Sequence, residues 1–184
     1  MKNFAAFALA CLVSAGFVSD ARAQAPKRAE ATLSACRAGE NIKGKATLVE
    51  EVSPEGIKQV KVRVEIEGLK DGSHAIHIHE KGTCSPCGGA AGHFDPGPHA
   101  FSNPDGNHPF HMGDLINVHV KNGKGVMETV TSRVTLSPGP LSIFDADGSA
   151  FIIHDGSDTY CPDGVVKGCA GGSRAACGII KPAN

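Results

Sequence analysis

The stretch VKVRVEIE at residues 60–67 alternates apolar and charged side chains with a period of two. Successive side chains of a β-strand point to opposite faces, so the three valines and Ile66 share one face. A strand of this kind buries its apolar face against a core and exposes its charged face to water. The stretch therefore predicts a strand with one buried face.

Weaker alternating runs lie on both sides of this strand, and turn pairs such as Asp71-Gly72 and Asn122-Gly123 separate them. The sequence shows no long helical period. Many short strands with turn signals between them favour an antiparallel sandwich or barrel over alternating strands and helices. The weaker strands are predicted at residues 45–52, 74–80, 115–121, 125–136 and 149–154.

Two long segments interrupt the strand pattern. Residues 82–113 are rich in Gly, Pro and His, and residues 155–176 are rich in Gly and Asp and contain two Cys. Loops of this length usually have a function or are disordered, and the His and Cys content favours function. The predicted fold class is all-β, an antiparallel β-barrel or sandwich with two long functional loops.

The N-terminus has the pattern of a cleavable signal peptide. Lys2 is followed by an apolar stretch at residues 4–18 and by a small-residue cleavage site at residues 20–23. The apolar stretch is shorter than the roughly 20 residues that a membrane-spanning helix needs. We therefore predict a signal peptide at residues 1–23, localisation in the periplasm, and no membrane attachment of the mature protein.

Composition limits the partners and the compartment. The chain has 18 basic and 19 acidic residues and a formal net charge of −1, so nothing in it indicates nucleic acid as a partner. Seven cysteines are present, and loss of Cys11 with the signal peptide leaves an even number, which indicates disulfides. The spacing Cys84-Ser-Pro-Cys87 also allows a cysteine metal site, but no second C-x-x-C pair occurs and the nearby histidines form a better site.

The histidines are clustered. Eight of the nine lie between residues 74 and 119, and His154 ends an apolar strand run. Strand alternation places His77 and His79 on one face, where two imidazoles can bind one ion from a rigid support. Further donors follow in the next loop, and imidazole with carboxylate suits zinc or copper rather than calcium or magnesium. These donors are His93, His99, His108, His111 and Asp114.

Five motifs of the chain resemble those of the copper, zinc superoxide dismutases, in the family's order and over about residues 42–181. The run HIHE at residues 77–80 is similar to the family's H-V-H-E, and GHFDP at residues 92–96 to its G-H-F/L-N/D-P. The others are HMGDL at residues 111–115, FIIH at residues 151–154 and GSRAACG at residues 172–178. The resemblance implies a Greek-key β-barrel at residues 42–184, after an N-terminal segment at residues 24–41. It also implies an enzyme that converts superoxide to dioxygen and hydrogen peroxide.

The resemblance also implies the ligands of the two metals. Copper would be bound by His77, His79, His93 and His154. Zinc would be bound by His93, His99, His111 and Asp114. His93 would then bridge both ions, which requires the loss of both ring protons, and two cations favour that loss.

The second zinc ligand is a choice between His99 and His108. The segment that begins at His99 resembles a bacterial H-G-L-x-N-P-D-G segment that starts with this ligand, which favours His99. Residues 107–110 then correspond to a local insertion, and His108 is the alternative ligand or a solvated side chain.

Three further roles follow from the resemblance. Arg174 corresponds to the arginine beside copper that attracts and orients the anionic substrate. Asp158 corresponds to the aspartate that links copper-side and zinc-side histidines and fixes their orientation. Cys177 corresponds to the family's disulfide cysteine, with Cys84 as the favoured partner and Cys87 as the second choice. The remaining pairs could be Cys161 with Cys169 and Cys36 with Cys87, although spacing does not decide connectivity.

Two other functions are weighed against a copper, zinc enzyme. A copper-only dismutase would be expected to have a damaged zinc set, yet His93, His111 and Asp114 are present. A metal carrier or structural module would be expected to lack a copper ligand or Arg174. The sequence leaves the choice between monomer and homodimer open.

Overall fold

The computed structural model describes residues 27–97, 108–162, 164 and 166–183. The predicted signal peptide lies outside these residues. Within them the chain forms ten strands and one short 3-10 turn at Cys87–Ala90. The strands are β1 Lys27–Ala35, β2 Lys43–Val52, β3 Lys58–Glu67, β4 Gly72–His74, β5 Ile76–His79, β6 Val118–Lys121, β7 Lys124–Thr131, β8 Ala150–His154, β9 Arg174–Ile179 and β10 Lys181–Ala183. No helix in this part of the chain is long and apolar enough to cross a membrane.

The strands form one antiparallel sheet that is nearly closed into a barrel. Their order is β4-β6-β7-β3-β2-β1-β9-β8-β5, with β10 paired to β1. The two end strands β4 and β5 are consecutive in the chain and separated by Ala75, so the sheet curves until its ends meet. Neighbours such as β3 with β7 and β1 with β9 are not consecutive, as in a Greek key. The predicted all-β antiparallel barrel is confirmed.

Strand β3 contains the alternating stretch and lies between β2 and β7. Its three valines and Ile66 are at most 2% exposed, whereas the intervening charged side chains face water. Burying one such apolar side chain contributes roughly 1.5–3 kcal/mol, so this face accounts for a large part of the barrel's stability. The alternation at residues 60–67 thus positions the core as predicted.

The sheet begins before residue 42, where the sequence analysis starts the barrel domain. Strand β1 pairs with β2 over eight positions and directs Ala29, Ala31 and Leu33 into the core. Two of these side chains are small, so the period of two is barely visible as hydrophobicity. Conversely, the predicted run 125–136 is longer than β7, which ends at Thr131.

Three long connections join the strands, at residues 80–117, 132–149 and 155–173, and the first and third contain the predicted site residues outside the strands. The first folds back over β5, because the amide of Ile78 donates to the Gly113 carbonyl at 2.9 Å and the amide of Phe94 donates to the Ile78 carbonyl at 2.8 Å. A Cβ atom at position 113 would lie 2.1 Å from the carbonyl oxygen of Ile78, so this close approach requires glycine. The described part of the first loop therefore covers the outward face of β5, and Asp158 of the loop at residues 155–173 contacts His77 on the same face.

Candidate metal centre

Strand β5 alternates as predicted, with Ile76 and Ile78 in the core and the paired histidines on the other face. Both His77 and His79 are nonetheless fully buried, because the two long loops cover them. Their ring centroids are 6.4 Å apart. The outward face of this strand is thus the floor of a closed polar site.

Four imidazoles meet on this floor. One nitrogen from each lies within 4.8 Å of the others, and the four residues are His77, His79, His93 and His154. His93 Nδ1 contacts the Asp114 carboxylate at 2.6 Å, and the other three residues also use the second ring nitrogen to hydrogen-bond an oxygen, which fixes ring orientation and tautomer. The three contacts are His77 Nε2 to Asp158 Oδ2 at 2.8 Å, His79 Nδ1 to Ala91 O at 2.9 Å and His154 Nδ1 to Gly172 O at 2.8 Å.

The inward nitrogens of this group have lone pairs that a cation would satisfy. The Nε2 atoms of His79 and His93 are buried and have no hydrogen-bond partner among the described residues. His77 Nδ1 and His154 Nε2 lie 3.3 Å apart, and the opposite nitrogen of each ring faces an oxygen that accepts a proton. Unpaired buried polar atoms destabilise a fold, so this arrangement fits a bound metal ion.

Burial keeps these rings neutral. Burial and nearby His93 together lower the pKa of His77 to about 3, against the hydrogen bond to Asp158, which raises it. Burial lowers the pKa of His154 to about 4, against the hydrogen bond to Gly172. Neutral imidazole is the form that binds transition metals, so the group is ready for a metal at neutral pH.

A second group surrounds the Asp114 carboxylate. Its Oδ1 lies 2.6 Å from His93 Nδ1, and its Oδ2 lies 3.1 Å from His108 Nδ1 and 3.2 Å from His111 Nδ1. Burial alone would raise the pKa of Asp114, but hydrogen bonds from the histidines hold it far below its usual range. Three imidazole nitrogens and one carboxylate form a typical tetrahedral zinc set.

His77 also lies within 4.8 Å of the donors around Asp114. Its Nδ1 points into the first group and its Nε2 faces Asp158, so neither nitrogen is free for a second ion. His111 is therefore the better fourth donor. His93 belongs to both groups, with Nδ1 facing Asp114 and Nε2 on the other side of the ring.

Asp158 connects the two groups. Its Oδ2 faces His77 Nε2 at 2.8 Å, and its Oδ1 faces His108 Nε2 at 2.7 Å. Asn117 holds it in place, because its Oδ1 accepts from the Asp158 amide at 2.8 Å and its Nδ2 donates to the Asp158 carbonyl at 2.9 Å. The sequence analysis does not identify Asn117, whose position just before strand β6 gives no sign of this contact.

Among the described residues, His108 is the further histidine that the structure brings to the second group. His99 lies outside the described residues. His108 is buried between the carboxylates of Asp114 and Asp158. Burial opposes protonation there, but both carboxylates outweigh it and raise the pKa of His108 to about 9. The two carboxylates therefore favour a cation at this position, which a proton or a metal ion can supply.

Arg174 lies beside the first group. Its guanidinium donates to the carbonyl oxygens of Cys87 and Ala91, and the Ala91 oxygen also accepts from His79. After burial, the positive charges of neighbouring residues, including Arg174, lower the pKa of both His79 and His154. The side chain is half-buried, so a cation stands next to the four imidazoles.

Disulfide bonds are confirmed as a feature of the chain. The bonded pairs are Cys36 with Cys87, Cys84 with Cys177, and Cys161 with Cys169. The first two fix the short turn after β5 to the end of β1 and to β9. The third closes a ring inside the loop at residues 155–173.

Residues 42–180 match the family model described as copper/zinc superoxide dismutase. The chain belongs to this family. The resemblance predicted from the motifs is thereby confirmed, and so is the enzyme class, because the family is one of oxidoreductases. Copper and zinc are the metals in the family's name, and both buried donor groups can hold metal ions.

Two curated relatives and one solved structure are similar to this chain over most of its length. The chain is 36% identical over 156 residues to a "Superoxide dismutase [Cu-Zn]" of Deinococcus radiodurans, covering 77% of this chain and 80% of the relative. It is 36% identical over 129 residues to an "Extracellular superoxide dismutase [Cu-Zn]" of Drosophila melanogaster, covering 67% and 68%. The crystal structure of the clock protein EA4 superposes with a TM-score of 0.64 at 29% identity, covering 85% of this chain and 95% of that one.

Proposed function

We propose that the protein converts two superoxide ions and two protons into dioxygen and hydrogen peroxide. The observation that supports this most directly is a pair of buried donor groups that share His93 and have a cation, Arg174, beside the first. The proposed copper ligands are His77, His79, His93 and His154. The proposed zinc ligands are His93, His108, His111 and Asp114.

The choice of donors supports this assignment of metals. Four neutral imidazoles suit copper, and three imidazoles with one carboxylate suit zinc. When bound, copper supplies one-electron oxidation and reduction, and zinc supplies a redox-inert positive charge. Asp158 orients one ring of each set, and such acceptors typically contribute tenfold to hundredfold in metal affinity.

His108 is proposed as the zinc ligand that the sequence analysis assigned to His99. Its Nδ1 is 3.1 Å from Asp114 Oδ2, and its Nε2 is held by Asp158 at 2.7 Å. This is the same arrangement that orients His77 in the first group. His99, which the sequence favours, lies outside the described residues and is the alternative ligand that the zinc measurement below tests.

The protein's own groups would bind and orient the substrate. Superoxide is a small anion, so the guanidinium of Arg174 attracts it and holds it beside the imidazoles. The carbonyls of Cys87 and Ala91 fix the guanidinium, which avoids reorganisation when the anion arrives. His93 is placed to hold a proton at Nε2 and to donate it to the reduced product.

Export to the periplasm is part of the proposal. Three disulfides among the described residues are typical of an oxidising compartment. The signal peptide at residues 1–23 remains the sequence-based reason for it. Superoxide formed outside the cytoplasm would then be the substrate.

Metal analysis with superoxide decay after pulse radiolysis tests the proposed activity. The full chain, loaded with both metals, should contain one copper and one zinc and should remove superoxide far faster than a copper-loaded double variant, His77→Ala with His79→Ala. Equal rates for the two proteins would refute the proposed function.

Zinc content separates the two histidine candidates. His108→Gln should lower zinc affinity at least tenfold, whereas His99→Gln should leave it unchanged. His119→Gln is the matched control, since His119 is an exposed histidine whose ring contacts Ser73. Loss of zinc in His99→Gln and not in His108→Gln would reverse the assignment.

A further inference from the structure

The end of β1 contacts the segment of Arg174 although it lies outside the family match, which begins at residue 42. The amide of Cys36 donates to the Ala175 carbonyl at 2.8 Å. The Arg37 guanidinium donates to the Arg174 carbonyl at 3.1 Å. Two successive residues therefore hold the two carbonyls that directly follow the Arg174 Cα atom, one on each side of the Ala175 Cα atom.

Cys36 is also connected to the Arg174 guanidinium, through one disulfide bond and one hydrogen bond. It is disulfide-bonded to Cys87, and the Cys87 carbonyl accepts a hydrogen bond from Arg174 Nη1. Cys87 is 8% exposed and begins the short turn that leads to Ala91, the second acceptor of the guanidinium. The disulfide thus fixes the turn that supplies both acceptors.

Arg37 extends the contact to the copper side. Its two Nη atoms donate to the two carboxylate oxygens of Asp155, each at 2.8 Å, and Asp155 directly follows His154. Its Nε donates to Glu40 at 2.7 Å. The pair with Asp155 is exposed, so it contributes little to stability, but bidentate geometry makes it directional.

We propose that Cys36 and Arg37 form an arginine clamp that positions Arg174 for binding the anionic substrate. Cys36 holds the acceptor of the guanidinium, and Arg37 holds the backbone of Arg174 and the residue after His154. Both are positioning residues, since neither contacts the four imidazoles. The proposal rests on the proposed function, because it concerns the anion site beside the copper ligands.

Azide is a small anion whose binding can be measured without catalytic turnover, so its affinity tests the clamp. The probe is azide added to copper- and zinc-loaded protein, with affinity measured from the change in the visible copper spectrum. We expect the double variant Cys36→Ala with Cys87→Ala, and separately Arg37→Gln, to raise the azide dissociation constant about fivefold. Metal content should stay at the wild-type value, and kcat/KM for superoxide should fall in parallel.

Two controls separate positioning from general destabilisation. Arg63→Gln removes an exposed arginine that pairs with Glu65 and Glu128 on the far face of the sheet. Val64→Ala removes buried apolar contacts in β3 and provides a stability loss without a change near Arg174. Both should bind azide as the wild type does.

Each outcome decides the proposal. Wild-type azide affinity in Arg37→Gln and in the double cysteine variant overturns it. Arg37→Gln decides alone if the double variant does not fold. Loss of copper from either variant also overturns it, since the residues would then support the ligands rather than Arg174. Wild-type protein that binds copper and azide but does not remove superoxide would refute the proposed function and leave the clamp standing.

Discussion

Two regions of the barrel are held together in different ways. The wall formed by β2, β3 and β7 relies on apolar burial and long regular pairing, and its charged side chains, apart from the buried Glu50, are not buried. The metal rim, the two loops at residues 80–117 and 155–173, relies on disulfides, buried carboxylates and backbone acceptors. Apolar packing is non-directional and provides stability, whereas hydrogen bonds and covalent links fix positions. Changes in the two regions should therefore separate stability from metal chemistry.

The largest expected effect is in the wall. Ile66→Ala removes a side chain that is 1% exposed, and such a truncation should lower the free energy of unfolding by about 3 kcal/mol. Copper and zinc content should not change at 25 °C. Chemical denaturation and elemental analysis measure both quantities. A matching loss of metal would show that the wall and the rim are not separable.

A smaller effect is expected in the rim. Asp158→Asn keeps the shape of the side chain but weakens its hold on both His77 and His108. Zinc affinity should fall between tenfold and hundredfold, while the apoprotein should unfold at nearly the same denaturant concentration. Competition with a chromogenic zinc chelator measures the affinity. Unchanged affinity would mean that Asp158 does not orient the ligands.

Glu50 of β2 connects the wall to the irregular segment at residues 136–137 and makes the stability of the fold depend on pH. It is 7% exposed and accepts from the amides of Leu136 and Ser137 at 2.5 and 2.8 Å. Burial raises its pKa, but hydrogen bonds from the Ser137 side chain and from these two amides, together with Lys58, outweigh burial, so the folded-state pKa is lowered. The resulting stability is present above the unfolded-state pKa and is lost as the pH falls through the folded-state pKa.

Glu50→Gln should therefore cost about 1.5 kcal/mol at neutral pH, and less in acid. The measurement is urea denaturation of the metal-free, disulfide-intact protein at about pH 7 and about pH 3. The difference between wild type and variant should shrink at the lower pH, because the Glu50 carboxylate becomes protonated in the unfolded chain before it does in the folded protein. A difference that stays constant would exclude the carboxylate charge as its source.

The smallest effect is expected on the outer face of the wall. Arg63 pairs with Glu65 and Glu128, and all three side chains are at least 45% exposed. Arg63→Gln should change the free energy of unfolding by about 0.5 kcal/mol or less, since exposed ion pairs are weak. Thermal unfolding at low and high salt measures this. A loss comparable to that of Ile66→Ala would contradict the contrast between burial and surface charge.

The wall was predictable from sequence because its information is local. The period of two at residues 60–67 specifies both the strand and its buried face, and the same rule places His77 and His79 together. The sequence analysis does not predict strand β1, because Ala29 and Ala31 give a weak apolar signal although they lie in the core.

For the metal rim, the sequence predicts which residue types supply the site, but it does not specify which side chains contact each other. Choosing between His99 and His108 requires the path of the loop, which spacing does not specify. Asn117 acts through its amide on the backbone of Asp158, more than 40 positions away in the chain. Such contacts depend on tertiary folding, so the sequence pattern cannot reveal them.

The acceptor shared by His79 and Arg174 is a main-chain oxygen, that of Ala91. No amino-acid replacement at that position can delete it. What a replacement can alter is the local chain path, because Ala91 has a φ of 61°, a value that costs L-residues with larger side chains more than glycine. Tolerance at position 91 should therefore follow backbone preference rather than side-chain chemistry, with glycine accepted and β-branched residues rejected.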